Sequence, residues 1–374
     1  MDITGEVGQW IFNFLNNRTQ KVLINNSLSS PSPIISGVPQ GTVLGPILFL
    51  MYIQSISDLE LSSLLVSFAD DSKILHKIID EDDIHSLQDD LNKLFEWEDA
   101  ANMSFNLKKF VWVQYGRSQN IKDTYNYFSK DFNQILTQSQ STRDLGIIIN
   151  NEANYSDHIT KICSKISQKI GWFLRNFNDR SPEFMKFLWL TYLQPNMDYC
   201  SQLYSPNYGP LLMKLENVLK SFTKRINGFN NLSYWDRLKK LGISSIGRRF
   251  QRYKCIYIWK IINGYAQNCG LEWSWSKKSG TICKTRKIGT FFQNQRSHSF
   301  QWIAPRLFNV LPRNIRDCKE SPETFKTKIN EFFNNIPDCP LTRDQTPVPL
   351  DPYDCTPSNS IVHWISYLKI GERR

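Results

Sequence analysis

Two adjacent carboxylates, Asp70 and Asp71, follow Phe68-Ala69 and stand between Leu64-Leu65-Val66 and Ser72-Lys73-Ile74-Leu75. Short apolar runs on both sides of a polar pair predict a β-hairpin with the acids at its turn. Two anions at such a tip repel each other, and a divalent cation between them removes the repulsion. The chemistry on offer is Mg²⁺ binding. The ordinary alternative is an Asp turn that bonds its own backbone, and the dipeptide by itself does not exclude it.

A second stretch with chemical potential precedes the first. Ser36-Gly37-Val38-Pro39-Gln40-Gly41-Thr42-Val43-Leu44-Gly45-Pro46 leads into Ile47-Leu48-Phe49-Leu50-Met51-Tyr52-Ile53. Three glycines and two prolines in eleven residues predict a defined loop entering an apolar, buried helix. Gly37 and Gly41 permit backbone geometry closed to other residues, and Gln40 and Thr42 are the polar groups such a loop can aim at a ligand. The loop has no P-loop lysine, so the glycines alone do not specify phosphate binding.

The elements around these stretches are read from periodicity. Residues 9–24 predict a short helix, a polar turn and a strand, 25–33 a polar turn region, and Ile34-Ile35 a new strand. Ile84, Leu87, Leu91, Leu94 and Phe95 fall at helical spacing, with Asp83, Asp89, Asp90 and Glu96 expected on a solvated face. Three further stripes follow. They are Ile159, Ile162, Ile166, Ile170 and Phe173, then Leu212, Leu215, Leu219, Phe222 and Ile226, then Ile246, Phe250, Tyr253 and Tyr257. Each runs beside a basic set: Lys161, Lys165 and Lys169, then Lys214, Lys220, Lys224 and Arg225, then Arg248, Arg249, Arg252 and Lys254. The apolar stripes are expected core, and the basic faces are expected to track a nucleic-acid backbone.

Charge sharpens that expectation. The chain of 374 residues carries a net +10, yet residues 1–100 hold 5 Lys+Arg against 15 Asp+Glu, which leaves a net +20 for the remainder. A basic excess of that size favours a polyanion partner, with aromatic residues available to stack on bases, although charge also serves solubility. Eight cysteines without a Cys-x-x-Cys pair fit reduced thiols. A zinc site from Cys269, Cys283 and His298 is disfavoured because close ligand pairs are lacking. The longest apolar run, 43–53, is interrupted by Gly45-Pro46 and too short for a bilayer, and no signal peptide opens the chain. These features predict an intracellular protein without membrane contact, and the basic clusters do not separate nucleus from cytoplasm.

Taken together, Gly37-Val38-Pro39-Gln40-Gly41 with Leu44-Gly45-Pro46, followed by Phe68-Ala69-Asp70-Asp71, resembles the reverse transcriptase of non-LTR (LINE-type) retrotransposons. The resemblance continues through Phe105-Asn106-Leu107-Lys108-Lys109-Phe110 and Arg143-Asp144-Leu145-Gly146 with Ile147-Ile148-Ile149. It extends to Pro195-Asn196-Met197-Asp198-Tyr199-Cys200-Ser201, the Phe222–Ile226 helix and Asn309-Val310-Leu311-Pro312. It implies an α+β fold: a partial polymerase palm, an antiparallel sheet with packed helices, over 1–150. A helical thumb-like region is implied over 151–265, and a basic C-terminal region with a Pro-rich loop segment over 266–374.

The same resemblance implies RNA-directed DNA polymerase activity on an RNA template and DNA primer with deoxynucleoside triphosphates, and no obligate protein partner. Asp70 and Asp71 would be catalytic metal ligands, with Asp70 the better candidate for direct contact. Pro39, Gln40 and Gly41 would contact the nucleotide, and Lys109 would assist the leaving pyrophosphate. Two Mg²⁺ ions about 3.5 to 4 Å apart serve that mechanism. It also uses an aspartate upstream of the glycine loop. Before Asp70 the only acids are Asp2, Glu6, Asp58 and Glu60, none in a matching strand pattern. An N-terminally truncated segment, inactive alone, is therefore expected. The alternatives are a non-catalytic nucleic-acid-binding remnant and a pseudogene product without a role.

Overall fold

The computed structural model describes residues 3–116, 126–129, 132–206, 209–267, 273–276, 281–284, 300–340, 360–362, 364 and 365. The possible zinc residues Cys269 and His298, the basic segment 285–299 and most of the Pro-rich segment, 341–359, lie outside the described residues, as does the Cys283 side chain. The chain is mixed α and β, mostly helical, with small two-stranded sheets. Its contacts group it into two compact units, Met1–Ser139 and Gln140–Arg374.

The first unit opens with helix α1 (Gly5–Leu15) and strands β1 (Arg18–Gln20), β2 (Leu23–Ile24), β3 (Ser27–Leu28) and β4 (Ser32–Ile34). β1 pairs antiparallel with β4, and β2 with β3. The expected polar turn region over 25–33 therefore holds the turn and second strand of a small hairpin and the start of β4, the turn being made by Asn25 and Asn26 at positive φ, a backbone conformation that asparagine tolerates. After the glycine loop come α2 (Leu44–Ile53), the hairpin β5 (Leu64–Phe68) and β6 (Asp71–Leu75), and α3 (Glu81–Ala100). β7 (Val111–Trp112) pairs parallel with β10 (Thr137–Gln138), and β8 (Asn126–Ser129) antiparallel with β9 (Phe132–Ile135).

The core of this unit lies where α3 meets the hairpin. Leu91, Leu94, Trp97, Ile56 and Leu136 are buried, with Leu65, Ile74, Phe105, Phe110 and Trp112 packed against them. Leu65 faces Ile74 across the hairpin, so one face of the strand pair is stapled to the helix. The buried α2 expected from sequence is not found: Ile47 and Leu50 are each half exposed. The helix is anchored at its C-terminal end, where Ile53 joins the core and the Tyr52 hydroxyl donates to the Ala101 carbonyl.

The second unit begins with the hairpin β11 (Ser141–Asp144) and β12 (Ile147–Asn150). Its turn residues Leu145 and Gly146 both have positive φ, as a two-residue turn matched to strand twist requires. The helices that follow are α4 (Ser156–Asn176), α5 (Pro182–Leu188), a π-helical turn (Trp189–Leu193), α6 (Gln194–Asp198), α7 (Ser201–Tyr204), α8 (Gly209–Thr223), α9 (Tyr234–Leu241) and α10 (Ile246–Ile262). β13 (Trp273–Ser276) and β14 (Thr281–Lys284) pair antiparallel, and α11 (Phe300–Asn309), α12 (Arg313–Arg316) and α13 (Pro322–Asn334) complete the unit.

The α4 and α8 stripes predicted from spacing are buried throughout and form one core with Ile147, Met185, Leu193 and Phe250. A second core is built from Trp259, Phe308, Phe325 and Ile329. α10 runs through both, contributing Ile246 and Phe250 to the first and Cys255, Ile258 and Trp259 to the second.

At the start of α10, Glu216 of α8 is buried. Its carboxylate accepts from the Gly247 N–H and from the Tyr234 hydroxyl. Burial pushes the carboxyl up to about 7, more than the Tyr234 and Gly247 bonds pull it down, and Asp338 pushes the same way. A carboxyl whose folded pKa exceeds its unfolded value stabilises the fold while protonated in the folded state, and that contribution is lost as pH rises from about 4.5 through 7. Denaturant melts should lose about 3 kcal/mol across this window, and Glu216→Gln should flatten the slope.

Candidate nucleotide and metal site

Ala69 and Asp70 form the two-residue turn between β5 and β6, with Phe68 paired to Asp71. Ala69 holds a left-handed φ of 53°, a conformation glycine takes without steric cost and other residues rarely adopt. The turn thus places both carboxylates at the hairpin tip, and both are exposed. Just below them the Ser67 and Ser72 hydroxyls bond across the strands at 2.9 Å. The other end of the hairpin is fixed by a buried acid. Asp90 on α3, 1% exposed, accepts from the Ser62 N–H at 3.1 Å, the Ser62 hydroxyl at 2.8 Å and the Ser63 N–H at 2.8 Å. Burial alone would raise its pKa. The hydrogen bonds from Ser63 and Ser62 more than offset that and hold it below the usual carboxylate value.

This overturns the solvated position expected for Asp90, whereas Asp89 and Glu96 are exposed as expected. Asp90 is an internal anchor, and Asp83 closes a capping box with Asp80 at the start of the helix. Glu98, also buried, accepts from the Phe105 N–H at 2.7 Å and so fixes the segment that leads to Lys109. The Asp90 anchor joins residues nearly thirty apart in the chain, and no local pattern announces it.

The loop over 37–41 has its own supports. Gly37 and Gly41 take φ of 79° and 78°, so both are needed for backbone conformation rather than for space. Arg18 donates to the Gly37 carbonyl at 2.5 Å and to the Leu15 carbonyl at 2.7 Å. The Thr42 hydroxyl donates to the Pro39 carbonyl at 2.8 Å and accepts from the Gly45 N–H at 3.1 Å. Thr42 is therefore committed to the loop and the start of α2, and Gln40 is the exposed polar side chain of the segment. Pro39 is half-buried, and Gly41 is exposed beside it.

Lys108 and Lys109 are exposed on a single 3₁₀ turn, Leu107–Lys109, held by Asn106. The hairpin turn brings Asp70 and Asp71 together. Among the described residues, no hydrogen bond or ion pair links them to Gln40 or Lys109, and no group of three His, Cys, Asp or Glu residues is placed to hold a metal. Two exposed carboxylates are nonetheless a chemically suitable part of a Mg²⁺ shell, because the ion takes hard oxygen ligands and keeps water and phosphate oxygens.

The basic faces divide. On α10, Arg248 is 2% exposed and donates to the Ile336 and Pro337 carbonyls, while Lys254 is 3% exposed and burial pushes its amine down to about 7. Arg249 grips Asp198, and Arg252 donates to Asn330. The α10 set expected to contact phosphate is thus an internal bonding set, because the helix passes through the middle of its unit. On α4, Lys161 and Lys165 are exposed. Among the described residues, no helix is long and apolar enough to cross a membrane.

Comparison with known proteins gives these placements a context. Residues 2–149 match the family model described as reverse transcriptase (RNA-dependent DNA polymerase). A probable RNA-directed DNA polymerase from transposon X-element of Drosophila melanogaster is 23% identical over 227 residues, 58% of this chain and 24% of the relative. The RNA-directed DNA polymerase from mobile element jockey of the same organism is 25% identical over 228 residues, and that of Drosophila funebris 25% identical over 239. The chain spans about a quarter of the length of these relatives. Residues 2–149 are thus a reverse transcriptase domain sequence, and over part of its length the chain is distantly similar to the RNA-directed DNA polymerases from transposon X-element and mobile element jockey.

Proposed function

We propose that this chain is a segment of a non-LTR retrotransposon reverse transcriptase, with Asp70 and Asp71 as its metal-ligand pair and the 37–41 loop as the floor of its nucleotide site. The observation that carries the reading is the strained two-residue turn. It holds two exposed carboxylates at the tip of a hairpin whose base is pinned by Asp90, inside the region that matches the reverse transcriptase model. The partners under this reading are an RNA template, a DNA primer and deoxynucleoside triphosphates.

Bound Mg²⁺ would neutralise charge on the attacking and leaving oxygens of phosphoryl transfer. The chain's own residues bind and orient. Asp70 and Asp71 supply hard oxygen donors, and Asp90 keeps the hairpin from swinging away from α3. The glycine loop offers its backbone and the Gln40 amide to a nucleotide, as its φ angles and exposure allow. Lys109, exposed on its 3₁₀ turn, is available to the triphosphate.

Two carboxylates without a third neutralise transition-state charge poorly, and the loss is a factor of roughly a hundred or more in rate. The polypeptide of these 374 residues is therefore expected to show no template-dependent primer extension on RNA with Mg²⁺, and Asp70→Ala is expected to change nothing in that assay. Extension abolished by Asp70→Ala would overturn the inactivity while supporting the assignment of the pair. Extension that survives the substitution would overturn the assignment.

A further inference from the structure

The α4 helix buries Ile159, Ile162, Ile166, Ile170 and Phe173. The side turned away from that core carries Lys161, Lys165, Gln168, Trp172 and Arg175, spaced to share one stripe about 21 Å long at the rise of an α-helix. All five are exposed, and Lys161, Lys165 and Gln168 help line a shallow surface depression. Among the described residues, Lys161 and Lys165 make no hydrogen bond or ion pair.

At its C-terminal end the stripe meets a cluster of exposed rings. Trp172 is 51% exposed, Phe187 52% and Tyr192 47%. The rings are held by one another and by the core: Phe173 lies 5.3 Å from Trp172 and 5.5 Å from Tyr192, and Phe187 lies 6.1 Å from Tyr192. Tyr192 sits on the π-helical turn, a rare local widening that recurs at functional sites. Its carbonyl is satisfied by Lys169 at 3.4 Å and Asn196 at 2.7 Å, so the widened turn is supported.

We propose that this surface binds single-stranded nucleic acid, with Lys161 and Lys165 on phosphates and Trp172 and Tyr192 stacking on unpaired bases. Rows of unpaired lysine leading into exposed rings suit a strand whose charge and flat faces are both accessible. A duplex offers the charge but hides the faces. A protein partner is the poorer fit, since lysine is depleted where protein interfaces bury their aromatic residues. Of the nearby acids, Asp157 in the first turn of α4 lines the same depression at the end away from the rings, where it complements the helix dipole, and Asp179 bonds the Ser181 N–H and hydroxyl. The surface lies wholly within the second unit and does not depend on the hairpin acids.

Binding of the full chain to a labelled oligouridine, an RNA duplex of equal length and heparin tests it. Trp172→Ala should weaken oligouridine binding about 10-fold and leave duplex and heparin binding within about 2-fold, because only unpaired bases stack. Trp172→Phe should retain most of the affinity. Tyr192→Leu, which keeps apolar volume but removes the ring, is the second variant and should cost about 5-fold. Lys161→Ala with Lys165→Ala should weaken all three ligands and lower the salt slope for oligouridine by about 1.4. Unchanged oligouridine affinity in both ring variants, equal losses on duplex and heparin, or no binding at about 50 mM salt would each overturn the proposal. Unchanged Mn²⁺ binding in the presence of a deoxynucleoside triphosphate alongside lost oligouridine binding would separate this surface from the hairpin site.

Discussion

Asp90→Ala is expected to destabilise the first unit by about 2 kcal/mol, because it strands the buried Ser63 N–H and removes the acceptor that orders the more exposed Ser62. Three donors converge on this carboxylate, from the Ser62 N–H, the Ser62 hydroxyl and the Ser63 N–H. Ser63 precedes β5 by one residue, and its own hydroxyl shares a 2.9 Å bond with His76, just past β6. Loss of Asp90 therefore loosens both strands at the end opposite the Asp70-Asp71 tip. Hydrogen exchange of the Ser62 and Ser63 amides should rise with the loss of stability, and exchange within α10 should not. The acid response follows in sign. A carboxyl held below its unfolded pKa stabilises above that unfolded value, about 3.9, and the contribution disappears as pH falls through the lowered folded pKa. Acid unfolding of the wild type should carry this component, and Asp90→Ala should lack it.

Arg249→Met is expected to cost about 4 kcal/mol, since it leaves the Asp198 carboxylate partly buried without its cation. The Arg249 guanidinium meets both Asp198 oxygens, at 2.8 and 2.5 Å, and also donates to the Tyr253 hydroxyl at 2.8 Å. Burial pulls its pKa down, but bonding and charge from Asp198 outweigh that and raise it, so the cation is held more firmly than in water. The pair ties the end of α6 to α10, two elements separated by about 50 residues of chain. Asp198→Leu combined with Arg249→Met should recover much of the loss, because the remaining site is apolar rather than charged. A coupling energy under about 0.5 kcal/mol in the double-mutant cycle would contradict this account of the pair.

These two acids mark what the sequence could and could not convey. Asp70-Asp71 was legible because hairpin, turn and carboxylates lie within twelve residues, and the apolar stripes of α4 and α8 were legible because helical spacing is a local signal. Asp90 looked like a solvated helix acid because its partners, Ser62 and Ser63, lie nearly thirty residues upstream. The basic side of α10 misled for the same reason. Arg248 finds its carbonyl acceptors at Ile336 and Pro337, and the burial of Lys254 follows from packing on both sides of its helix. Charge at helical spacing predicts a solvated face only where the helix has a solvated face. α4 retains one and α10 does not. The apolar α2 erred in the opposite direction, since hydrophobic composition reports what would gain from burial and not whether a neighbour covers it.

The central claim is that Asp70 and Asp71 are the metal-binding end of a reverse transcriptase hairpin. Manganese, which takes oxygen ligands much as magnesium does and is paramagnetic, reports on it most directly. Titration of Mn²⁺ into the full chain with a deoxynucleoside triphosphate present, followed by electron paramagnetic resonance, should show protein-dependent binding. That binding should be lost in Asp70→Ala, weakened in Asp71→Ala and unaffected by removal of the exposed acid Asp89. Equal Mn²⁺ binding by the wild type and Asp70→Ala would contradict the account and return the pair to an ordinary polar turn.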